Sequence, residues 1–360
     1  MSKHYWPRVA VPARNEAGRL ESLLNSLASQ TWQTLSGKRL PVVIVLNNCD
    51  DGSRQILDQL VPQHPSLDLT VLDVQFPPSK AHVGSARRLA METACRGARD
   101  DARTILMTTD ADATPDPNWV AANIAAIDAG ADVVGGEIIA DRGEEERLGP
   151  GFLERAKLHK RYTELADKLT GLIDPLPWDP APRHTDHSGG SIAVTVQAYR
   201  AVGGMHALPF REDIDLVERL TEAGARLRHD PAVRVTVSAR IVGRAASGMA
   251  DCIRGWLMEE IEGRPHLVED PLWIEQRAVR RRAIRTTDFA DLDQVDELAR
   301  LVDVPTRKLF SPDGARIGVG HLIRCFAPDD LDVAPVVPVR VAISLITQRI
   351  AALEGQVHAA

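Results

Sequence analysis

Short β-branched runs alternate with amphipathic helical stretches through the first half of this chain, and that rhythm admits few architectures. Arg8 to Val11 runs into Pro12, Pro41 to Leu46 into Asn47 and Asn48, and Thr104 to Thr108 into Asp110. Strands of this kind, joined by crossover helices, build a parallel sheet. Between the first two, Glu16 to Gln30 carries Leu20, Leu23, Leu24 and Leu27 at three- and four-residue spacing, which predicts a core-facing helix. Ser53 to Leu60 and Gly84 to Arg99 read the same way. Ligands of open α/β sheets bind beyond the carboxyl ends of the strands, so function is expected where each run turns polar.

The later sequence changes character. After Val133 and Val134 come a polar insertion from Asp141 to Glu146, a predicted helix from Phe152 to Leu169 and a proline-rich loop from Asp174 to Arg183. The loop leads into His187, Ser188, Gly189, Gly190 and Ser191. From about Ser247 helical periodicity dominates, and an apolar helix is expected near Val339 to Leu353. The expectation is two domains, residues 1–246 and a helical C-terminal region over 247–360. Arg277, Arg280, Arg281, Arg282 and Arg285 read as a solvated helix face, with peripheral contact to an anionic membrane as the alternative.

Composition removes several functional classes. A net charge of -7 argues against general affinity for nucleic acid, which needs clustered Lys and Arg. The 4 cysteines, Cys49, Cys95, Cys252 and Cys325, form no C-x-x-C pair, so no zinc ribbon or disulfide framework is indicated and a reducing cytoplasm is the expected setting. No apolar run approaches the roughly 18 residues of a membrane span. The first strand is followed by Val11-Pro12-Ala13-Arg14-Asn15 rather than G-x-G-x-x-G, and no G-x-x-x-x-G-K-[ST] occurs, which disfavours dinucleotide oxidoreductases and P-loop enzymes.

Thr109-Asp110-Ala111-Asp112-Ala113 follows a strand and precedes Pro115. Carboxylates at i and i+2 beyond a strand end can converge on one divalent cation, Mn2+ or Mg2+, directly or through water. A cation there neutralises a diphosphate, whose developing charge must be stabilised before it can leave.

Further segments accompany it. Val9 to Glu16 reads V-A-V-P-A-R-N-E, Val42 to Ser53 reads V-V-I-V-L-N-N-C-D-D-G-S, and Gly84 to Arg88 reads G-S-A-R-R. His187 to Ser191, Gly203-Gly204 and Arg211-Glu212-Asp213-Ile214-Asp215-Leu216 follow. In this order and spacing, from Val9 to Arg244, the chain resembles the family 2 glycosyltransferases. The resemblance implies an α/β GT-A fold, with a Rossmann-like mostly parallel sheet flanked by helices. It also implies inverting transfer of a sugar from a UDP- or GDP-type nucleotide-diphosphate donor to an acceptor hydroxyl. Membrane-embedded synthases of the family carry Q-x-x-R-W, whereas Arg254-Gly255-Trp256 lacks the matching Gln, which points to a soluble single-transfer enzyme. The rival readings are a nucleotide-sugar-binding protein without turnover and a sugar nucleotidyltransferase, the latter without its usual glycine-rich basic loop.

The resemblance also distributes roles. Pro12, Ala13 and Glu16 border the nucleoside, with Glu16 facing a ribose hydroxyl or standing as a helix N-terminal carboxylate. Asn47 and Asn48 replace the Asp that reads uracil in many relatives, so an amide edge is left to read the base. Asp50 and Asp51 read the base or cap the next helix. Lys80 and Arg87 approach the diphosphate, as do Arg240 and Arg244. Asp110 and Asp112 hold the metal, with Ala111 between them at the donor and His229 as a third ligand. Ser188, Gly189 and Gly190 shape the acceptor pocket. Asp213 is expected to be the general base, with Glu212 supporting it.

Overall fold

The computed structural model describes residues 5–241, 243, 248–329 and 333–359, with side chains up to 355. Its elements run β1 (Trp6–Ala13), α1 (Leu20–Ala28), α2 (Thr31–Ser36), β2 (Leu40–Asn47), α3 (Ser53–Leu60), β3 (Leu67–Val74), α4 (Val83–Arg96), β4 (Thr104–Thr108), β5 (Thr114–Pro115), α5 (Trp119–Asp128) and β6 (Val133–Ala140). They continue with α6 (Arg142–Glu146), α7 (Pro150–Ile173), β7 (Ile192–Thr195), α8 (Val196–Ala201), α9 (Glu212–Glu222), β8 (Leu227–Val237) and α10 (Met249–Ile261). The last are β9 (Leu267–Glu269), α11 (Pro271–Thr286), α12 (Leu292–Leu301), α13 (Val319–Phe326), β10 (Val336–Pro338) and α14 (Val339–Ala359).

Packing divides these elements into two compact units. The first comprises residues up to 149, 182–220 and 225–257; the second comprises 150–181, 221–224 and 258 onward. Among the described residues the first unit holds an eight-stranded sheet in the order β3-β2-β1-β4-β7-β6-β8-β5. β3, β2, β1 and β4 are parallel, β7 runs antiparallel to both β4 and β6, β6 and β8 are parallel, and β5 closes the edge antiparallel to β8.

Side-chain alternation along β1 sorts the core into two layers. Val9 and Val11 join Leu20, Leu23, Leu24 and Leu27 of α1 on one face, while Ala10 joins Ala86, Ala90, Met91 and Ala94 of α4 on the other. Both faces of β1 and β2 are therefore covered, which is why these strands read as continuous apolar runs.

Helix α1 begins at Leu20, later than the periodicity suggested. Asn15 takes a left-handed backbone with φ 55°, and the Glu16 carbonyl accepts from the amides of Arg19 and Leu20, so the chain makes a tight corner before the helix. That corner carries Glu16 to the carboxyl end of β1.

In the second unit, Tyr162, Leu165 and Leu169 of α7 pack with Ile274 and Ala278 of α11 and with Ala342 and Ile346 of α14. Helix α7, which the sequence reading grouped with the preceding residues, thus shares a core with the C-terminal helices. The arginine cluster on α11 is only in part a solvated face. Arg277 pairs with Glu269 and Asp329, Arg281 with Asp329 and Arg285 with Asp174, while Arg282 donates to the Ile173 carbonyl at 3.0 Å. Three of the five guanidinium groups, those of Arg277, Arg281 and Arg285, are thus held by carboxylates of their own unit. No helix among the described residues is long and apolar enough to cross a membrane.

Candidate active site

The site is assembled where β1, β2 and β4 end. Asp110 follows β4 by two residues, and its Oδ1 accepts from Arg87 Nη2 at 2.7 Å. Arg87 reaches there from the sheet-facing side of α4 and is only 3% exposed. Its Nε donates to Glu212 Oε1 at 2.9 Å, and its Nη1 donates to Thr108 Oγ1 at 3.0 Å and to the Gly189 carbonyl at 2.8 Å. Burial alone lowers an arginine pKa; here the Asp110 and Glu212 carboxylates, aided by Asp213, more than offset it and raise the value. Arg87 was expected at the diphosphate. It is instead a buried junction between acidic groups, and those four protein partners take it away from a ligand.

Gly189 is required by that junction. A Cβ on it would lie 2.5 Å from Arg87 Cζ, so no other residue fits without moving the guanidinium. The Gly189 amide donates to Asp213 Oδ2 at 2.5 Å, and Asp213 Oδ1 accepts from the Ile214 amide at 2.8 Å. Asp213 lies in the first turn of α9, just after Arg211, whose φ of 57° is unfavourable for a side chain of its size. Both Asp213 oxygens are oriented by backbone donors, and each retains a lone pair for another partner. Gly190 continues the loop, where an added Cβ would come 3.6 Å from Asp110 Oδ2. The Ser188 carbonyl closes the turn by accepting from Ser191.

A second arginine serves the other carboxylate of the Asp-x-Asp. Arg240 Nη2 lies 2.9 Å from Asp112 Oδ2 and 2.7 Å from Glu16 Oε1, and Arg240 Nη1 lies 3.0 Å from Glu16 Oε2. Burial first, then the nearby charge of Asp110 with a smaller push from Glu16, outweigh Arg240 and raise the Asp112 pKa to about 6. Glu16, expected near a ribose, has both oxygens on Arg240. Arg244 lies outside the described residues.

Glu144 fixes the approach to Arg240. It accepts from Ser238 Oγ at 2.6 Å, the Ala239 amide at 2.8 Å and Arg19 Nη2 at 2.6 Å. Burial opposes its ionisation, but those donors prevail and lower its pKa. Sequence reasoning missed Glu144 because it lies in a polar insertion that matches no motif.

The first two strand ends are tied together by their own polar groups. Asn15 Nδ2 donates to Asp50 Oδ1 at 2.7 Å while the Asp50 amide donates back to Asn15 Oδ1 at 3.0 Å. Asp51 accepts from Ala17 and Ser53, which favours its structural reading over base recognition. Asn48 brackets Phe76, accepting from its amide and donating to its carbonyl, both at 2.9 Å. Asn48 thus spends one of its two N–H donors and one of its two oxygen lone pairs on the Phe76 backbone. Asn47 is buried and donates to the His82 carbonyl at 3.1 Å. Ala13 is buried at the end of β1 beside Pro12, and Lys80 is exposed in the turn before α4.

His229 packs among histidines rather than with the acidic pair. Its Nε2 lies 3.3 Å from His187 Nδ1, and its ring centroid lies 5.7 Å from that of His184. Among the described residues no three His, Cys, Asp or Glu side chains converge on a metal position. The three-ligand set Asp110, Asp112 and His229 is therefore corrected to two carboxylates. Two aspartates, one of them paired with a part-exposed arginine, fit a hard divalent cation that takes its remaining oxygens from phosphate and water.

The family model of glycosyl transferase family 2 matches residues 8–176. Glycosyltransferase AglE of Haloferax volcanii is 27% identical over 131 residues, which are 36% of this chain and 38% of that protein. The chain thus aligns with well under half of that relative. Among solved structures, mannosyltransferase PcManGT from Pyrobaculum calidifontis, in complex with GDP-Man and Mn2+, is 16% identical with 91% of this chain and 87% of that chain covered, at a TM-score of 0.46. GalNAc-T7 with UDP, GalNAc and Mn2+ is 13% identical with 83% and 55% covered, at a TM-score of 0.47. Both scores are too low to support an inference about this chain. The residues matched by the family model carry β1, β2, Arg87 and the Asp-x-Asp on a mostly parallel sheet, and over them the chain is similar to glycosyl transferase family 2.

Proposed function

We propose that this protein transfers a sugar from a UDP- or GDP-type nucleotide-diphosphate donor to an acceptor hydroxyl, with inversion and with a divalent cation. One observation carries the reading. Asp110, Arg87, Gly189 and Asp213 form an unbroken hydrogen-bonded chain that sets a carboxylate of the Asp-x-Asp at a fixed distance from the carboxylate opening α9. Single displacement needs that arrangement, because the leaving diphosphate and the attacking hydroxyl stand on opposite sides of the anomeric carbon.

Asp110 and Asp112 are the residues that would hold Mn2+ or Mg2+. A cation bound there neutralises charge on the departing diphosphate. Asp213, oriented by Gly189 and Ile214, takes the proton of the acceptor hydroxyl as its oxygen attacks. Glu212 holds Arg87 and supports the base through it. The Ser188 to Gly190 turn, with no side chain at two positions, leaves room for the acceptor beside Asp213. Lys80 is an exposed cation for the diphosphate near the start of α4.

The test is release of nucleoside diphosphate from a panel of UDP- and GDP-sugars with Mn2+ or Mg2+, without acceptor. Slow metal-dependent hydrolysis of at least one donor is expected, and Asp112→Asn should abolish metal-dependent donor binding. No turnover of any donor by the intact protein contradicts the enzymatic reading. Tight metal-dependent nucleotide binding by Asp112→Asn contradicts the metal assignment.

A further inference from the structure

We infer that Arg240 is a resident counter-ion which a divalent cation must displace from Asp112, and that its release to the diphosphate couples binding of cation and donor. The inference rests on the donor site proposed above but concerns how that site loads.

Three features carry it. First, each carboxylate of the Asp-x-Asp already has an arginine, and the two arginines differ. Arg87 is buried, with four protein partners, whereas the Arg240 side chain is 26% exposed and forms ion pairs with the carboxylates of Glu16 and Asp112. A buried guanidinium with all-protein bonding stays where it is; a part-exposed one can exchange a carboxylate for another anion at lower cost.

Second, the geometry makes Arg240 and a cation competitors. Arg240 Nη2 is 2.9 Å from Asp112 Oδ2, so a metal on that oxygen and a guanidinium in contact with it would place two like charges within a few ångströms. Arg240 is held on its other side by the two Glu16 oxygens, so it can leave Asp112 without losing every partner.

Third, the protein supplies few metal ligands. Among the described residues no cluster of three ligating side chains exists, so the cation needs phosphate oxygens to complete its shell. Arriving alone, it loses the Asp112–Arg240 pair and gains only two carboxylates. Arriving with a diphosphate, it leaves Arg240 facing a new anion, and the exchange balances charge for charge. Free energies shared in this way are reciprocal, so nucleotide tightens metal as much as metal tightens nucleotide.

The discriminating experiment titrates Mn2+ into the full chain by EPR, alone and with UDP or GDP, for the natural protein, Arg240→Met and Arg240→Lys. Arg240→Met should bind Mn2+ alone about three- to tenfold more tightly and Mn2+ with nucleoside diphosphate more weakly, shrinking the coupling by at least that factor. Arg240→Lys should fall between. Opposite signs are the signature, because general damage to the loop would weaken both. Unchanged or weaker binding of Mn2+ alone by a folded Arg240→Met overturns the competition; if that variant does not fold, the same outcome for Arg240→Lys does so. Unchanged coupling with nucleotide overturns the exchange. If the natural protein binds Mn2+ but neither nucleotide, the donor reading and the exchange both fail, and the Mn2+ arm alone decides the competition.

Discussion

Arg87 shows how a correct motif can point to the wrong job. Its place in G-S-A-R-R was visible, but its burial among Thr108, Asp110, Gly189 and Glu212 depends on residues up to 125 positions away, which spacing along a chain cannot reveal. The same holds for Asn48, whose amide bonds the Phe76 backbone, and for Glu144, which has no motif at all. Asp110 and Asp112 were singled out because they follow the apolar run of β4, and Glu212 and Asp213 because their segment resembles the family's acidic pair at a helix start. At this scale Gly189→Ala is the sharpest prediction. A methyl 2.5 Å from Arg87 Cζ must displace the guanidinium, and with it Asp110 and Asp213. Transfer should fall at least about 100-fold, the order of loss that a 1 Å misplacement of reacting groups brings. The measurement is kcat beside a thermal melt, and a variant with a normal melt and normal kcat contradicts the junction.

Elements were read with uneven success for physical reasons. β4 and α3 were expected at their observed bounds, because each is a short segment set off by polar residues or glycine. β3 was not foreseen. It lies at the sheet edge, where Asp68, Thr70 and Asp73 break the apolar run and only part of the strand is buried. Helix α7 proved longer than its periodicity suggested, running to Ile173, which joins the same core as Leu169. The leucine stripe of α1 was legible, and it yields a stability prediction. Leu24 is fully buried between α1 and the sheet, so Leu24→Ala should cost about 2–5 kcal/mol in chemical denaturation. A cost below about 1 kcal/mol would mean that the α1 face is not packed as described.

At the scale of the whole molecule, chain order and packing order differ. Residues 150–181 leave the first unit to pack with the C-terminal helices, and the chain then returns to form β7 and β8. Nothing in a single apolar stripe announces which core will receive it. The second unit also contains a buried histidine with a consequence for pH. Desolvation, then the charge of Arg155, lowers the pKa of His266 to about 4, while the unfolded value is near 6.5. Because the folded value is depressed, the stabilising difference is complete above pH 6.5 and is lost as pH falls towards 4. Partial solvation of the pocket discounts the loss to about 1–2 kcal/mol. Denaturation midpoints at pH 7 and pH 5 should therefore differ for the natural protein and differ less for His266→Phe. An equal pH dependence in both would remove His266 as the cause.

The central claim is that Asp213 removes the acceptor proton while Asp110 and Asp112 serve the donor. Asp213→Asn separates the two roles, since the amide keeps the shape and one acceptor oxygen for Gly189, at the loss of the Ile214 bond, but is no base. The decisive measurement compares this variant with the natural protein in Mn2+-dependent donor binding and in sugar transfer. The account predicts donor affinity within about twofold and transfer reduced by about 100- to 10,000-fold. Transfer at the natural rate, or donor binding lost along with transfer, would contradict it.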